Sequence, residues 1–223
     1  KTTAVSKVQK TYFEEKYGRS VEYIPTGVNQ VNKRPPELIR DMGLEKDSYI
    51  LFAARLVAEK GPDFLIEAFR QIDTDKKLVV AGDAAHADEF KARLRSLAGD
   101  DGRILFPGFV TGQLLEELFS NAYVFCLPST LEGLPIALLE AMSYGNCCLA
   151  SDIPPNVEAV EDFGFTFKNR NVQDLRQKLT FLLENPEKVE QIKHGAKEHV
   201  LNNYSWDMVT DQMEALYYSM IRR

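Results

Sequence analysis

Two acids and two cations in this chain are spaced to grip one long anion. Glu132 and Glu140, eight positions apart, lie within Ser129 to Gly145, Ser-Thr-Leu-Glu-Gly-Leu-Pro-Ile-Ala-Leu-Leu-Glu-Ala-Met-Ser-Tyr-Gly, which follows an apolar run at Val124 to Leu127. Pro135 suits the first turn of a helix and Gly145 its end, the asymmetry that helices favour. The backbone N–H groups around Leu134, Ile136 and Leu139 have no full set of intrahelical partners and carry partial positive charge, so they suit an anion. At ~1.5 Å rise per residue the two acids are at most about 12 Å apart along a helix. A carboxylate accepts hydrogen bonds from two neighbouring hydroxyls, so the pair fits a molecule with a polyol at each end and phosphate between. Arg55 and Lys60, in Arg-Leu-Val-Ala-Glu-Lys-Gly, follow an earlier apolar run. A guanidinium fork and a flexible ammonium can hold a diphosphate between them and neutralise it as it leaves, with no metal required.

The elements that must position these groups follow from hydrophobic patterning. Apolar strand patterns at Ile50 to Ala54, Leu78 to Ala81, Ile104 to Phe106, Tyr123 to Leu127 and Cys147 to Ala150 alternate with helical segments. The helical segments fall near Pro62 to Gln71, Ala87 to Leu97, Gly112 to Asn121 and Pro135 to Tyr144. Short, nearly continuous apolar strands alternating with helices predict an α/β fold, a doubly wound parallel sheet covered on both faces. Such sheets bind ligands outside the carboxyl ends of their strands. Arg55, Gly82, Gly108 and Ser129 all fall at or just after those ends. Before the alternation come an amphipathic helical stretch within Lys1 to Gly18, a short strand at Val21 to Ile24 and a turn at Gly27, read as needing positive φ. After it come a helix around Val157 to Val160, a Phe-rich turn at Phe163 to Phe167, and three helices: Val172 to Glu184, Pro186 to Leu201 and Ser205 to Ile221. In the last, Met208, Val209, Met213, Leu216, Tyr217, Met220 and Ile221 recur near helical period, a pattern that predicts core packing.

At the Glu, seven-residue gap, Glu signature, followed by Ala-Met and a glycine, the chain resembles the retaining glycosyltransferases of family 4, which have the GT-B fold. The Arg55, four residues, Lys60-Gly61 pattern and the Gly27 turn belong to the same resemblance, which runs over nearly the whole chain. It implies that residues 1–223 are the Rossmann-like, C-terminal, donor-binding domain of a hexosyltransferase, its N-terminal acceptor-binding domain being absent. The final helix, 205–223, is then expected to cross back towards that domain. The implied substrate is a nucleotide sugar, UDP favoured over GDP, with no cofactor and no metal, in polysaccharide or glycoconjugate biosynthesis. The implied roles are Arg55 and Lys60 on the departing diphosphate, Glu132 on donor-sugar hydroxyls, Glu140 on the ribose diol, and Phe109 and Val110 against the base. The amides near Leu134 and Ile136 assist, and Leu139 belongs to the same donor-binding stretch. Where relatives commonly show Glu-Gly-Phe-Gly this chain has Glu132-Gly133-Leu134-Pro135, and Pro135 offers no N–H. Ala84 stands where the second glycine of Gly-x-Gly is usual. A severed domain is expected to bind nucleotide and catalyse little alone. The alternatives from other classes are a non-catalytic nucleotide-sugar-binding module and a protein-interaction module on the same fold.

With 223 residues, a formal net charge of −6, 44% apolar and 27% charged residues, the composition is that of an ordinary globular chain and gives no electrostatic reason to expect nucleic acid as a partner. No apolar run reaches the ~18 residues of a membrane span. The expected location is the cytoplasm, the family being compatible with peripheral work at the inner membrane face. Three cysteines, two of them adjacent, suit buried free thiols in a reducing compartment better than disulfides. Asp73-Thr74-Asp75 has an Asp-x-Asp form but precedes a strand, where a turn role is expected; His86, His194 and His199 lack ligand spacing. No Gly-x-Gly-x-x-Gly follows a strand pattern, which argues against a dehydrogenase.

Overall fold

Five apolar runs become parallel strands and a sixth strand lies where the sequence predicts only a turn. The structure is a computed structural model that describes residues 1–85 and 87–221; His86 and the last two residues of the 205–223 segment lie outside them. The chain starts with a small βαβ unit: β1 (Thr2–Ala4), α1 (Lys7–Tyr17) and β2 (Val21–Tyr23), its two strands paired in parallel. The alternation follows: β3 (Tyr49–Ala53), α2 (Pro62–Phe69), β4 (Lys77–Ala81), α3 (Asp88–Ala98) and β5 (Ile104–Gly108). Then come α4 (Gly112–Asn121), β6 (Val124–Leu127), α5 (Ile136–Ser143), β7 (Cys147–Ser151), α6 (Pro154–Val160) and β8 (Phe165–Phe167). Three helices succeed them: α7 (Val172–Glu184), α8 (Pro186–Tyr204) and α9 (Trp206–Ile221).

The larger sheet has six parallel strands in the order β5-β4-β3-β6-β7-β8. Right-handed crossovers put α2 and α3 on one face and α5 and α6 on the other, and α7 packs on α2 while α8 packs on α5. The core is what such double cover demands: Tyr49, Phe52, Leu78, Val80 and Phe125 are fully buried or nearly so, and all three cysteines are buried and free. The direction of strand succession reverses between β3 and β6, and a doubly wound sheet opens its ligand crevice at that reversal.

Three expectations are corrected. Phe165–Phe167 is a strand, because Leu149 to Ser151 of β7 offer it a parallel edge; three residues in a Phe-rich turn carry too little pattern to predict pairing. Gly27 does not adopt positive φ. It is needed because Trp206 lies on it, with indole Cδ2 only 2.6 Å from where a Cβ would sit. The apolar stripe of α9 is core only in part. Val209 and Leu216 pack on Ile24, whereas Tyr217, Met220 and Ile221 are exposed, Ile221 by 77%. Neither does α1 bury any of its residues.

One buried charge ties the approach segment to the sheet. Glu117 of α4 is fully buried and accepts hydrogen bonds from the N–H groups of Glu37 (2.9 Å) and Ile39 (3.2 Å), which open the 3-10 turn Leu38–Met42, and from Gln113 Nε2 (2.8 Å). Burial alone would push this carboxyl up, but the bonds from Gln113 and the Glu37, Ile39 and Leu38 amides outweigh it and hold the carboxyl below its ordinary value.

Candidate functional site

At the reversal point the loops after β3 and β6 are joined through their backbones. The Thr130 N–H donates to the Glu59 carbonyl at 2.8 Å. Gly61, at φ 66°, ends the short turn Ala58–Lys60, and a Cβ there would lie 2.2 Å from the Pro128 carbonyl oxygen; only glycine permits this approach. The junction delivers Lys60 to the β6 loop, where its Nζ donates to both oxygens of the Glu132 carboxylate at 2.8 Å each. The two side chains are 17% and 5% exposed.

A cavity of about 260 Å³ opens between the carboxyl ends of β3, β4 and β5 and the start of α5. Arg55, Gly82, Asp83, Phe109, Val110 and Glu140 line it, with Ala53, Leu115 and Phe119 as apolar wall. Arg55 and Glu140, 85 positions apart in sequence, therefore face one space. The Arg55 guanidinium reaches Glu59 at 3.7 Å with both groups well exposed, a contact too weak to hold it. Phe109 stands at the rim, 75% exposed. The Glu140 carboxylate receives no hydrogen bond among the described residues, and desolvation by the cavity wall pushes its carboxyl up.

Not every predicted residue reaches the cavity. Lys60 and Glu132 do not line it; they meet each other in the loops that follow Arg55 and precede α5. Leu139 is wholly buried and its N–H donates to the Pro135 carbonyl at 3.1 Å, so it serves as packing beneath the site. Ile136 opens α5 with an exposed side chain, but its N–H donates to the Leu134 carbonyl at 3.0 Å. Among the described residues neither the Leu134 nor the Ala137 N–H has a hydrogen-bond partner, so both amides are left free at this helix start. Pro135 sits just before the helix rather than within its first turn.

Sequence reading missed the support beneath Glu132. Asn156 Nδ2 of α6 donates to Ser151 Oγ (2.9 Å) and Ser129 Oγ (3.2 Å), and Ser151 Oγ donates to the Ser129 carbonyl. All three residues are fully buried, so the base of the Glu132 loop is pinned by a polar knot; a lone asparagine inside an apolar helix was the available signal. Also missed was the approach of the predicted helix α1 to this loop: its Gln9 Nε2 lies against Gly133, 2.8 Å from where a Cβ would be. The decoys resolve as turns and packing. Thr74 Oγ1 accepts from the Lys76 N–H at 3.2 Å, and His199 stacks on Phe163 at 4.6 Å. Among the described residues no group of three or more His, Cys, Asp or Glu could hold a metal ion.

The family model for glycosyl transferases group 1 matches residues 36–199, the stretch that holds the whole six-stranded sheet and both charged pairs. The chain belongs to that family. A group 1 relative from Methanocaldococcus jannaschii, an uncharacterized glycosyltransferase, is 31% identical over 183 residues, covering 80% of this chain and 47% of that protein. The alpha-D-kanosaminyltransferase of Streptomyces kanamyceticus is 26% identical over 189 residues, covering 82% and 49%. The chain thus spans about half the length of the curated relatives it matches. Among solved structures, a glycosyltransferase from Rickettsia africae superposes with a TM-score of 0.91 at 21% identity, covering 100% of this chain and 64% of that one. Anabaena HepE, solved in complex with UDP and glucose, superposes at 0.89 with 21% identity, covering 97% and 62%. These likenesses place the group 1 chain in the Rossmann-like GT-B fold. No helix among the described residues is long and apolar enough to cross a membrane.

Proposed function

We propose that the chain is the donor-binding half of a retaining glycosyltransferase of family 4 that moves a sugar from a nucleotide diphosphate, UDP in preference to GDP, to an acceptor. The observation that carries this reading is the cavity at the strand-order reversal, with Arg55 and Glu140 on its wall and the Lys60–Glu132 pair in the loops that lead on from Arg55 and into α5. The apolar slot takes the base beside Phe109 and Val110. Glu140, whose oxygens lack partners, takes the ribose diol. Arg55 and Lys60 neutralise the diphosphate as the bond to the sugar breaks and its electron pair passes to phosphate oxygen, and the free Leu134 amide adds a fixed dipole. Glu132 takes sugar hydroxyls. This chemistry needs neither cofactor nor metal. HepE, captured with UDP and glucose on the same fold, supports the choice of UDP.

The acceptor-binding half would meet this chain along the separate β1–β2 pair and the exposed side of α9. A two-stranded parallel sheet is too small to stand alone, and α9 carries Tyr217, Met220 and Ile221 uncovered. Peripheral membrane association, if the full enzyme has it, would come with that half. The isolated chain binds donor and turns over little.

Calorimetric titration of the 223-residue chain with UDP and GDP tests the reading. Binding is expected, and Glu140→Ala should weaken it at least tenfold; indifference to both nucleotides, or unchanged affinity in the variant, would end it. Glu140→Gln carries a second expectation. Because the folded-state pKa is raised, the ionised group opposes folding as pH rises above the ordinary glutamate range. The glutamine variant should therefore melt slightly higher at neutral pH while binding UDP more weakly. A melting temperature that falls would contradict a carboxyl whose ionised form the fold disfavours.

A further inference from the structure

The Lys60–Glu132 ion pair joins the two groups that the proposed function assigns to opposite ends of one scissile bond. Lys60 belongs to the diphosphate and Glu132 to the sugar, yet without ligand each occupies the other, with two 2.8 Å bonds to an almost fully buried carboxylate. The pair is held from both sides. On the lysine side, Gly61 is locked against the Pro128 carbonyl and Thr130 is bonded to Glu59. On the glutamate side, Asn156 and Ser151 pin Ser129. Arg55, by contrast, has only an exposed 3.7 Å contact. The two diphosphate cations are therefore unequal: Arg55 is free to engage phosphate, whereas Lys60 must first leave a buried carboxylate.

A buried carboxylate that loses its counter-ion needs replacement partners. An intact nucleotide sugar brings them, since its hydroxyls donate to Glu132 as its phosphate draws Lys60 away. A bare nucleoside diphosphate brings phosphate but no hydroxyls, so it can recruit Lys60 only by stripping Glu132. Resting on the proposed donor site, we infer that the Lys60–Glu132 pair is an exchange latch that makes the site hold the intact donor in preference to the nucleoside diphosphate product. Once the sugar has been transferred, Glu132 loses its hydroxyl partners, recaptures the ammonium and weakens the hold on the product. The donor-to-product selectivity lies in this pair, and Arg55 and Glu140 grip both ligands alike.

The test is a double-mutant cycle read by calorimetry with UDP, and with UDP-glucose, UDP-galactose and UDP-N-acetylglucosamine as intact donors. Glu132→Gln removes the competing charge, so UDP should bind about three- to tenfold more tightly, while the ratio of best-donor to UDP affinity falls. A neutral acceptor merely relieving repulsion would tighten UDP whatever stands at position 60. The latch requires Lys60, so in a Lys60→Gln background, where the amide can still donate to Glu132, adding Glu132→Gln should change UDP affinity less than twofold. Melting curves on all four proteins establish that each is folded. UDP affinity that is unchanged or lower in Glu132→Gln, or equal tightening in both backgrounds, would overturn the latch and leave the donor site standing. Wild-type chain that binds neither UDP nor GDP would remove both.

Discussion

Replacing Arg55 with methionine in the full-length enzyme is expected to lower kcat/KM for transfer by about 10²–10³-fold, the scale seen when one preorganised partner of a developing negative charge is removed. Its melting temperature should stay within about 1 °C, because the side chain is exposed and its 3.7 Å contact with Glu59 adds little to stability. The contrast with Lys60 makes the assignment decisive. Lys60→Met removes a diphosphate cation and also leaves Glu132, 5% exposed, without its counter-ion, so activity and stability should fall together. Steady-state kinetics and thermal melts of the two variants, side by side, check this. An Arg55 variant that keeps full activity would take the guanidinium out of the reaction.

Glu117→Ala is expected to be the most destabilising of the substitutions considered, by about 3 kcal/mol, since it deprives the buried Ile39 N–H, the part-buried Glu37 N–H and Gln113 of a charged acceptor. For a chain of this size that corresponds to a fall in Tm of roughly 6–12 °C. The sign of its pH dependence follows from a folded-state carboxyl held below its ordinary value. The stabilisation is complete above the ordinary glutamate range, about pH 4.3, and drains away as pH falls through the folded value. Wild type and variant should therefore differ at pH 7 and converge in acid. A constant difference down to the acid end of the transition would show that packing rather than charge is lost.

The consequence for function is indirect. Glu117 anchors the segment after residue 34 to α4, and α4 supplies Leu115 and Phe119 to the cavity wall. Loosening it should blunt nucleotide binding without touching a ligand-contacting group.

What the sequence by itself determined is the alternation and the loops it serves. Strands such as Tyr49–Ala53 and Val124–Leu127 are continuous apolar runs because both faces of a parallel sheet are covered, and that burial is written residue by residue. The candidate residues Arg55, Lys60, Glu132 and Glu140 stood out because charge placed just after such runs is placed at the carboxyl ends of strands. Tertiary structure decided the rest, since partners distant in sequence leave no local trace. The Lys60–Glu132 pair spans 72 positions and depends on the Gly61–Pro128 approach. The Phe165–Phe167 strand exists because β7 has a free edge, and Gly27 is required by Trp206, 179 positions away. Periodicity likewise told that α9 has an apolar stripe but not what covers it: a stripe records which residues avoid water, and whether they meet this core or another surface depends on where the helix is carried.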